Sequence, residues 1–448
     1  MAKAKRKTVL TTDVEEILVI PGRQPYPVPK NWCWTKLGMV CSLDNGKKIS
    51  NESLTYFDAR TLRTNTGKTR DGGILVGKGQ KVILVDGENS GEVFVIPYRG
   101  YMGSTFRLLN IVDGLNETYI RYFIDSNRNL LRDNKIGSAI PHLNKDVFYG
   151  LNLPVPPLSE QNRIVDRIES LFAKLDEAKE LVQYALESFV TRKFSILHKA
   201  FTGELTVKWR KENNIDNCSW ENKSIEELCH SLNYGTSKKS KPDGSVVVIR
   251  MGNIQQGEID WNDLAYTEDR EDVEKYKLYP GDVLFNRTNS AALVGKTAIY
   301  RGDYPAIYAG YLIKLDYDHN LVLGDYLNYA LNTTTAKEYC NRVKTDGVNQ
   351  SNINAKKIGA FVIPVASIPE QYEIIRIVNS LLEKEKQAEQ TAEMVKDQID
   401  EMKKTILTQA FRGKLGTNDT SDKNAKELLK EILIGETNAN KKNICKKI

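Results

Sequence analysis

The sequence predicts an α+β fold built twice: two mixed domains, each followed by a long helix, the helices pairing as an antiparallel coiled coil with pseudo-two-fold symmetry. Three observations carry this. The chain matches itself at an offset of 210 residues. Both copies end in a heptad-spaced apolar run, and the segments before those runs mix short β-like and helix-like stretches.

The duplication is plain without gaps. LPVPPLSEQNRIVDRIESLFAKLDEAKE (153–180) falls on IPVASIPEQYEIIRIVNSLLEKEKQAEQ (363–390), and SILHKAFTGEL (195–205) falls on TILTQAFRGKL (405–415). Pro154/Pro364, Glu160/Glu370, Gln161/Gln371, Phe201/Phe411 and Gly203/Gly413 coincide. Upstream the likeness weakens. Trp34, Leu37, Cys41 and Gly46 resemble Trp220, Ile225, Cys229 and Gly235, and ILVDGENSG (83–91) resembles VLFNRTNSA (283–291).

Residues 159–202 read as one helix. Ile164, Ile168, Leu171, Leu175, Ala178, Val182, Ala185, Phe189 and Ile196 alternate spacings of four and three, with Arg192 the only break. The second copy places Ile374, Val378, Leu381, Ala388, Ala392, Val395, Ile399, Met402 and Ile406 at matching positions, broken only at Glu385. Ser367 and Glu370 have capping-box spacing, and Gly203 and Gly413 are C-terminal stops. At 1.5 Å per residue each helix reaches about 65 Å, a stripe that must be buried, most simply against its copy. From Glu160 to Glu204 the first helix carries seven basic and eight acidic residues, which suits a spacer or docking surface better than a phosphate track.

The variable segments, 29–153 and 216–363, are each of single-domain size. KVILV (81–85), EVFVIP (92–97), SVVVI (245–249) and GDVLF (281–285) read as strands, while 117–133 and 324–343 read as helices. Residues 29–150 hold 17 basic and 12 acidic side chains; residues 216–360 hold 17 and 20. An electrostatic case for nucleic-acid binding therefore favours the first segment, through Lys47, Lys48, Arg60, Arg63, Lys68 and Arg70, with Arg99 beside Tyr101. In the second the positive charge clusters at Lys238, Lys239 and Lys241 and at Arg287, and the acids of 258–274 are expected on a separate face.

The 448 residues are 40% hydrophobic, 27% charged and 8% aromatic, enough for two to three folded domains and too apolar for disorder. No apolar run approaches a membrane span, and no secretory signal follows the basic start. Six cysteines without a C-x-x-C pair read as reduced thiols, which places the chain in the cytoplasm. Two Gly-Lys-Thr tripeptides (67–69, 295–297) lack the glycine that a phosphate loop needs, since Leu62 and Ser290 stand there. The four histidines have no metal spacing, and no nucleophile elbow or amino-methyltransferase signature is present. No catalytic residue and no metal site is assigned. A methyltransferase or nuclease with unrecognised motifs, and a coiled-coil scaffold whose repeat domains bind protein, stand as alternatives to DNA recognition.

The paired VPPLSEQNRIVDRIE and IPVASIPEQYEIIRIV, each followed by a heptad helix and by AFTGEL or AFRGKL, resemble the specificity subunits of type I restriction–modification systems. PYPVPKNWCWTKLG, GDVLFNRTNSAALVGKTAIY and AKELLKEI (425–432) extend the resemblance over nearly the whole chain. It implies an N-terminal arm (1–28), a first target-recognition domain (29–153), a spacer helix (154–206), a second recognition domain (207–363), a second spacer helix (364–416), and a C-terminal helix with a basic tail (417–448) that meets the arm. Each recognition domain would read half of an asymmetric bipartite site in double-stranded DNA. The resemblance implies DNA contact at Arg287, Asn289 and Ser290, and in the loops Gly137–His142 and Gly347–Ser351, through Ser138, His142, Asn349, Gln350 and Ser351. It implies helix pairing and subunit docking at Glu160, Gln161, Ile164, Ile168, Leu171 and Leu175, and at Glu370, Gln371, Ile374, Val378 and Leu381. Two methyltransferase subunits would bind S-adenosylmethionine and methylate a flipped adenine. Restriction subunits would use ATP and Mg²⁺. This chain would hold no cofactor, and no membrane is implied.

Overall fold

The structure, a computed structural model, describes residues 17–50, 52–137, 141–216 and 219–432. It divides at Leu181/Val182 and at Met394/Val395 into two compact units. Each unit therefore contains the first part of one long helix and the last part of the other.

The helices, Leu158–Phe201 and Ile368–Phe411, have 44 residues each and keep the 210-residue offset at both ends. Both stop where a glycine turns left-handed, Gly203 at φ 77° and Gly413 at φ 66°. A Cβ on Gly413 would lie 2.5 Å from Pro29 Cδ, so a side chain is excluded there by space as well as by conformation. In the first unit Lys179 pairs with Asp400 at 2.6 Å and Lys403 with Asp176 at 2.5 Å, which makes the helices antiparallel. In the second unit Arg192 meets Glu385 at 2.9 Å. The single break in one heptad seam thus answers the single break in the other.

The seam is less covered than its periodicity suggests. Ile164, Ile168, Ile374 and Val378 are fully buried, but in the domain cores. Leu171, Leu175 and Leu381 are half-buried; Met402 is 51% and Val395 37% exposed. In the first unit Leu171, Leu175, Met402 and Ile406 line an apolar groove of about 570 Å³.

Each variable domain is clamped to its helices in the same way. In the first unit, Cys33–Lys36 pairs antiparallel with Asn152–Val155; in the second, Glu221–Ser224 pairs with Val362–Val365. Cys33 lies opposite Val155 and Glu221 opposite Val365, so the counterpart of Trp220 is Trp32, not Trp34. The expected match was two residues out. A slip of two keeps every side chain on its own face, so alternation alone cannot detect it.

Behind this clamp, Cys41–Asp44, Phe106–Ile111, Lys81–Leu84 and Val93–Val95 form a four-stranded sheet in that order. Its counterpart in the second unit runs Cys229–Tyr234, Leu312–Tyr317, Val283–Asn286, Thr297–Ile299 and on to Gly257–Ile259 and Ile254–Gln255. The two helix-like runs are helical, each as a pair: Glu117–Ser126 with Arg128–Asp133, and Gly324–Leu331 with Thr334–Val343. Asn127 and Thr333 interrupt them, the latter capping the next helix through its hydroxyl.

The coincident residues of the duplication now have reasons. Phe411 packs on Tyr119 and Phe201 on Tyr326, ring centroids 5.2 and 4.9 Å apart, while those tyrosine hydroxyls donate at 2.8 Å to the carbonyls of Pro154 and Pro364. Gln161 accepts from Asn116 N–H at 2.9 Å and donates to Pro156 O; Gln371 accepts from Leu323 N–H at 2.8 Å and donates to Ala366 O. Glu160 accepts from Trp32 Nε1 (2.7 Å) and Asn418 Nδ2 (2.8 Å). Glu370 accepts from Trp220 Nε1 (2.9 Å), Thr206 Oγ1 (2.7 Å) and Arg210 Nη1 (2.6 Å). It therefore makes no capping box with Ser367. All four Glu and Gln side chains are fully buried. They are internal latches within their units and offer no surface to a docking subunit, which corrects the expectation for Glu160, Gln161, Glu370 and Gln371.

No helix among the described residues is long and apolar enough to cross a membrane.

Candidate nucleic-acid interface

In the second unit a three-stranded ribbon, Thr288–Asn289, Ser351–Asn352 and Thr345–Asp346, gathers the nominated loops. Arg287, one residue before it, is half-buried. Its guanidinium donates to Gly310 O and to Asn352 Oδ1, both at 3.3 Å, and lies 4.7 Å from the Tyr234 ring centroid. It thus holds the ribbon as much as it faces outward. Asn289 turns back to accept from Ser290 N–H at 2.8 Å. Ser351 is buried, its hydroxyl on Asp346 Oδ1 at 2.5 Å, so it is a poor candidate for a base contact. Asn349 and Gln350 are exposed, and between them and Gly347 stands Val348, which sequence reasoning passed over.

The expected separation of charges in this unit does not hold. Lys238 pairs with Asp269 at 2.7 Å, Asp272 at 3.3 Å and Glu271 at 3.8 Å. The bond that Lys238 donates to Asp269, chiefly, raises the lysine's pKa and lowers that of the aspartate. Asp269, Glu271 and Asp272 therefore share a face with Lys238, while Glu258 and Asp263 pair elsewhere, with Arg301 and Arg250. Lys239 and Lys241 are exposed and make no ion pair with a described residue.

In the first unit the five-stranded sheet runs Lys48–Ile49, Gly73–Val76, Gly100–Met102, Leu54–Phe57, Thr69–Arg70. Lys48 and Arg70 thus occupy its two opposite edges, flanked by Lys47 and Lys68, and all four are exposed. Arg70 lies 3.7 Å from the Tyr56 ring centroid. Arg60 is also exposed. Other nominated groups are committed internally. Arg63 pairs with Glu92, and Arg99 with Glu52 at 2.5 and 3.0 Å. Tyr101 is wholly buried with its hydroxyl on Glu52 O, a core residue and not a contact. His142 Nδ1 lies 2.7 Å from Asp86 Oδ1 in the counterpart of the ribbon, and Ser138 lies outside the described residues. Leu143 N–H bonds Val85 O as Ile353 N–H bonds Arg287 O, both at 2.8 Å, so the counterpart of Arg287 is the buried Val85. The two interfaces share a frame and differ in its side chains.

Burial pushes the Cys33, Cys41 and Cys229 thiols up to about 12 and Cys340 to about 11. Among the described residues no group of histidine, cysteine or carboxylate side chains could hold a metal ion.

The family described as type I restriction modification DNA specificity domain matches residues 29–183 and again 217–394. The chain belongs to that family. Type I specificity-domain relatives include the EcoKI specificity subunit of Escherichia coli K12, 28% identical over 307 residues, 66% of this chain and 65% of the relative. The chain thus spans just under two thirds of that protein's length. The MjaVIII specificity subunit of Methanocaldococcus jannaschii is 23% identical over 422 residues, covering 87% and 94%. The HsdS subunit of Thermoanaerobacter tengcongensis shares the fold with a TM-score of 0.55 at 18% identity, over 87% of this chain and 99% of that one. A chain from a study of type I system assembly and conformational transition gives 0.68, also at 18%, over 87% and 100%. The specificity-domain match begins before each clamp strand and runs partway into each long helix, so one family unit is a variable domain with the first part of the helix that follows it.

Proposed function

We propose that this chain is the DNA-recognition subunit of a type I restriction–modification complex, each variable domain reading one half of an asymmetric bipartite site. The observation that carries this is the double family match, laid over two domains that share a clamp register and buried Glu–Gln latches but differ in exposed loops. A common frame with divergent loops suits reading two different sequences. The free cations at the sheet edges of the first domain suit phosphate contact; the second, with Lys238 neutralised, draws more of its grip from its partners.

Those partners are two methyltransferase subunits seated on the long helices, where the half-covered seam leaves apolar surface. S-adenosylmethionine belongs to them, and ATP and Mg²⁺ to a restriction subunit. The chain contributes recognition and no chemistry, and works in the cytoplasm.

The test is co-expression with the cognate methyltransferase subunit, followed by long-read mapping of methylated adenines across the host genome. The expected result is one asymmetric bipartite motif with a fixed spacer. A stable complex that adds no methylation and binds DNA without sequence preference would favour the scaffold reading.

A further inference from the structure

The ribbon that ends in the loop 347–350 is fixed along its stem. Gly347 N–H donates to Gln350 O at 2.8 Å, and Ser351 Oγ to Asp346 Oδ1 at 2.5 Å. Asn352 Nδ2 donates to Thr288 Oγ1 at 2.8 Å and its Oδ1 accepts from Arg287, while Lys357 Nζ donates to Thr345 Oγ1 at 2.7 Å. Both stem strands are therefore tied to the domain, and the tip cannot fold back to shelter its own side chains.

At that tip stands Val348, 101% exposed, the most exposed large apolar side chain among the described residues; the next, Tyr184, is 75%. Asn349 and Gln350 beside it are exposed and polar. An isolated, rigidly presented isopropyl group flanked by amides is suited to a narrow site with one apolar feature among hydrogen-bonding edges. The major groove of DNA admits a two-stranded ribbon, and its apolar feature is the C5-methyl group of thymine.

We infer that Val348 is the residue with which the second variable domain packs against a thymine methyl in its half-site, an inference that rests on the DNA-recognition reading above. Asn349 and Gln350 then reach the neighbouring polar edges, and Ser351, held by Asp346, positions the turn without touching a base.

The test uses the complex with its methyltransferase subunits and duplexes in which each thymine of the second half-site, on either strand, is replaced in turn by uracil, which lacks only the methyl. Equilibrium binding is measured for the wild type and for Val348→Ala, a surface change that leaves the fold intact. The wild type is expected to lose about three- to fivefold at one thymine, the worth of one buried methyl group. Val348→Ala should lose a similar factor on unmodified DNA and be indifferent to uracil at that position. Equal uracil sensitivity of both proteins at every thymine would overturn the inference, as would a variant that fails to assemble with the methyltransferase, which would make Val348 a protein contact. A wild-type complex without any sequence preference would overturn the recognition reading itself, and this contact with it.

Discussion

The two latch glutamates show how one duplicated residue acquires two environments. Glu370 has a cation: Arg210, itself buried, donates to it at 2.6 Å. Replacing Arg210 by Met leaves a buried carboxylate held only by Trp220 and Thr206, and should cost the second unit about 3–5 kcal/mol, readable by urea unfolding. Adding Glu370→Gln should recover much of that loss. Glu160 accepts instead from the neutral donors Trp32, Asn418 and, at 3.4 Å, Thr417; burial raises its pKa more than these bonds and the nearby Arg163 charge lower it. The folded state then keeps this proton to higher pH than the unfolded state, which releases it near the ordinary glutamate value of 4.5. Stability from this group is full below that pH and falls as pH rises through the folded value. Glu160→Gln should remove that decline, so its unfolding midpoint relative to wild type should rise between pH 4 and 8; a pH-independent difference would refute the assignment. The offset of 210 made the Glu–Gln pairs visible in sequence, but not their role. Arg210 and Asn418 come from segments outside the gapless match, and a surface capping box and a buried latch place Glu370 at the same spacing from Ser367.

Elements were legible where periodicity was long. Both helices, their stops and the four strands read as apolar runs follow from spacing and glycine, because a heptad stripe or a buried β run admits few other conformations; the many other two- and three-residue strands left no such signal. Partners across elements were not legible, because a sequence shows charges without distances. Lys238 and its three acids were read as separate faces, Arg99 and Arg63 as free cations, and Tyr101 as a surface ring. The seam breaks are the instructive exception. Arg192 and Glu385 each interrupt a stripe, and an apolar position that carries charge costs stability unless the partner helix answers it; the antiparallel arrangement brings the two together. They therefore help to fix register. Arg192→Glu should destabilise the second unit by about 1 kcal/mol, given the partial exposure of the pair, and Arg192→Glu with Glu385→Arg should restore it. A double variant no better than the sum of its single changes would show that the pair does not set register.

At the scale of the molecule, duplication has split one task into a constant and a variable part. The clamp register, the Glu–Gln latch positions and the helix bounds repeat at the 210-residue offset on the helix side, while the ribbon carries Arg287 in one copy and Val85 in the other. Selection for a new target can therefore act on loops without touching what holds the domains to the helices. Helix length, in the constant part, is expected to set the spacer between the half-sites. Seven residues of helix are about 10.5 Å, close to three base-pair steps. Removing residues 184–190 and 388–394 takes one heptad from each helix, and a whole heptad keeps the remaining seam positions on the same faces. In the assembled complex, methylation mapping should then show both half-sites unchanged in sequence and the spacer between them altered, shorter by about three base pairs if the change is purely along the helix axis. An altered half-site would mean that the helices take part in base recognition, and an unchanged spacer would mean that the partner subunits, and not this chain, fix the distance.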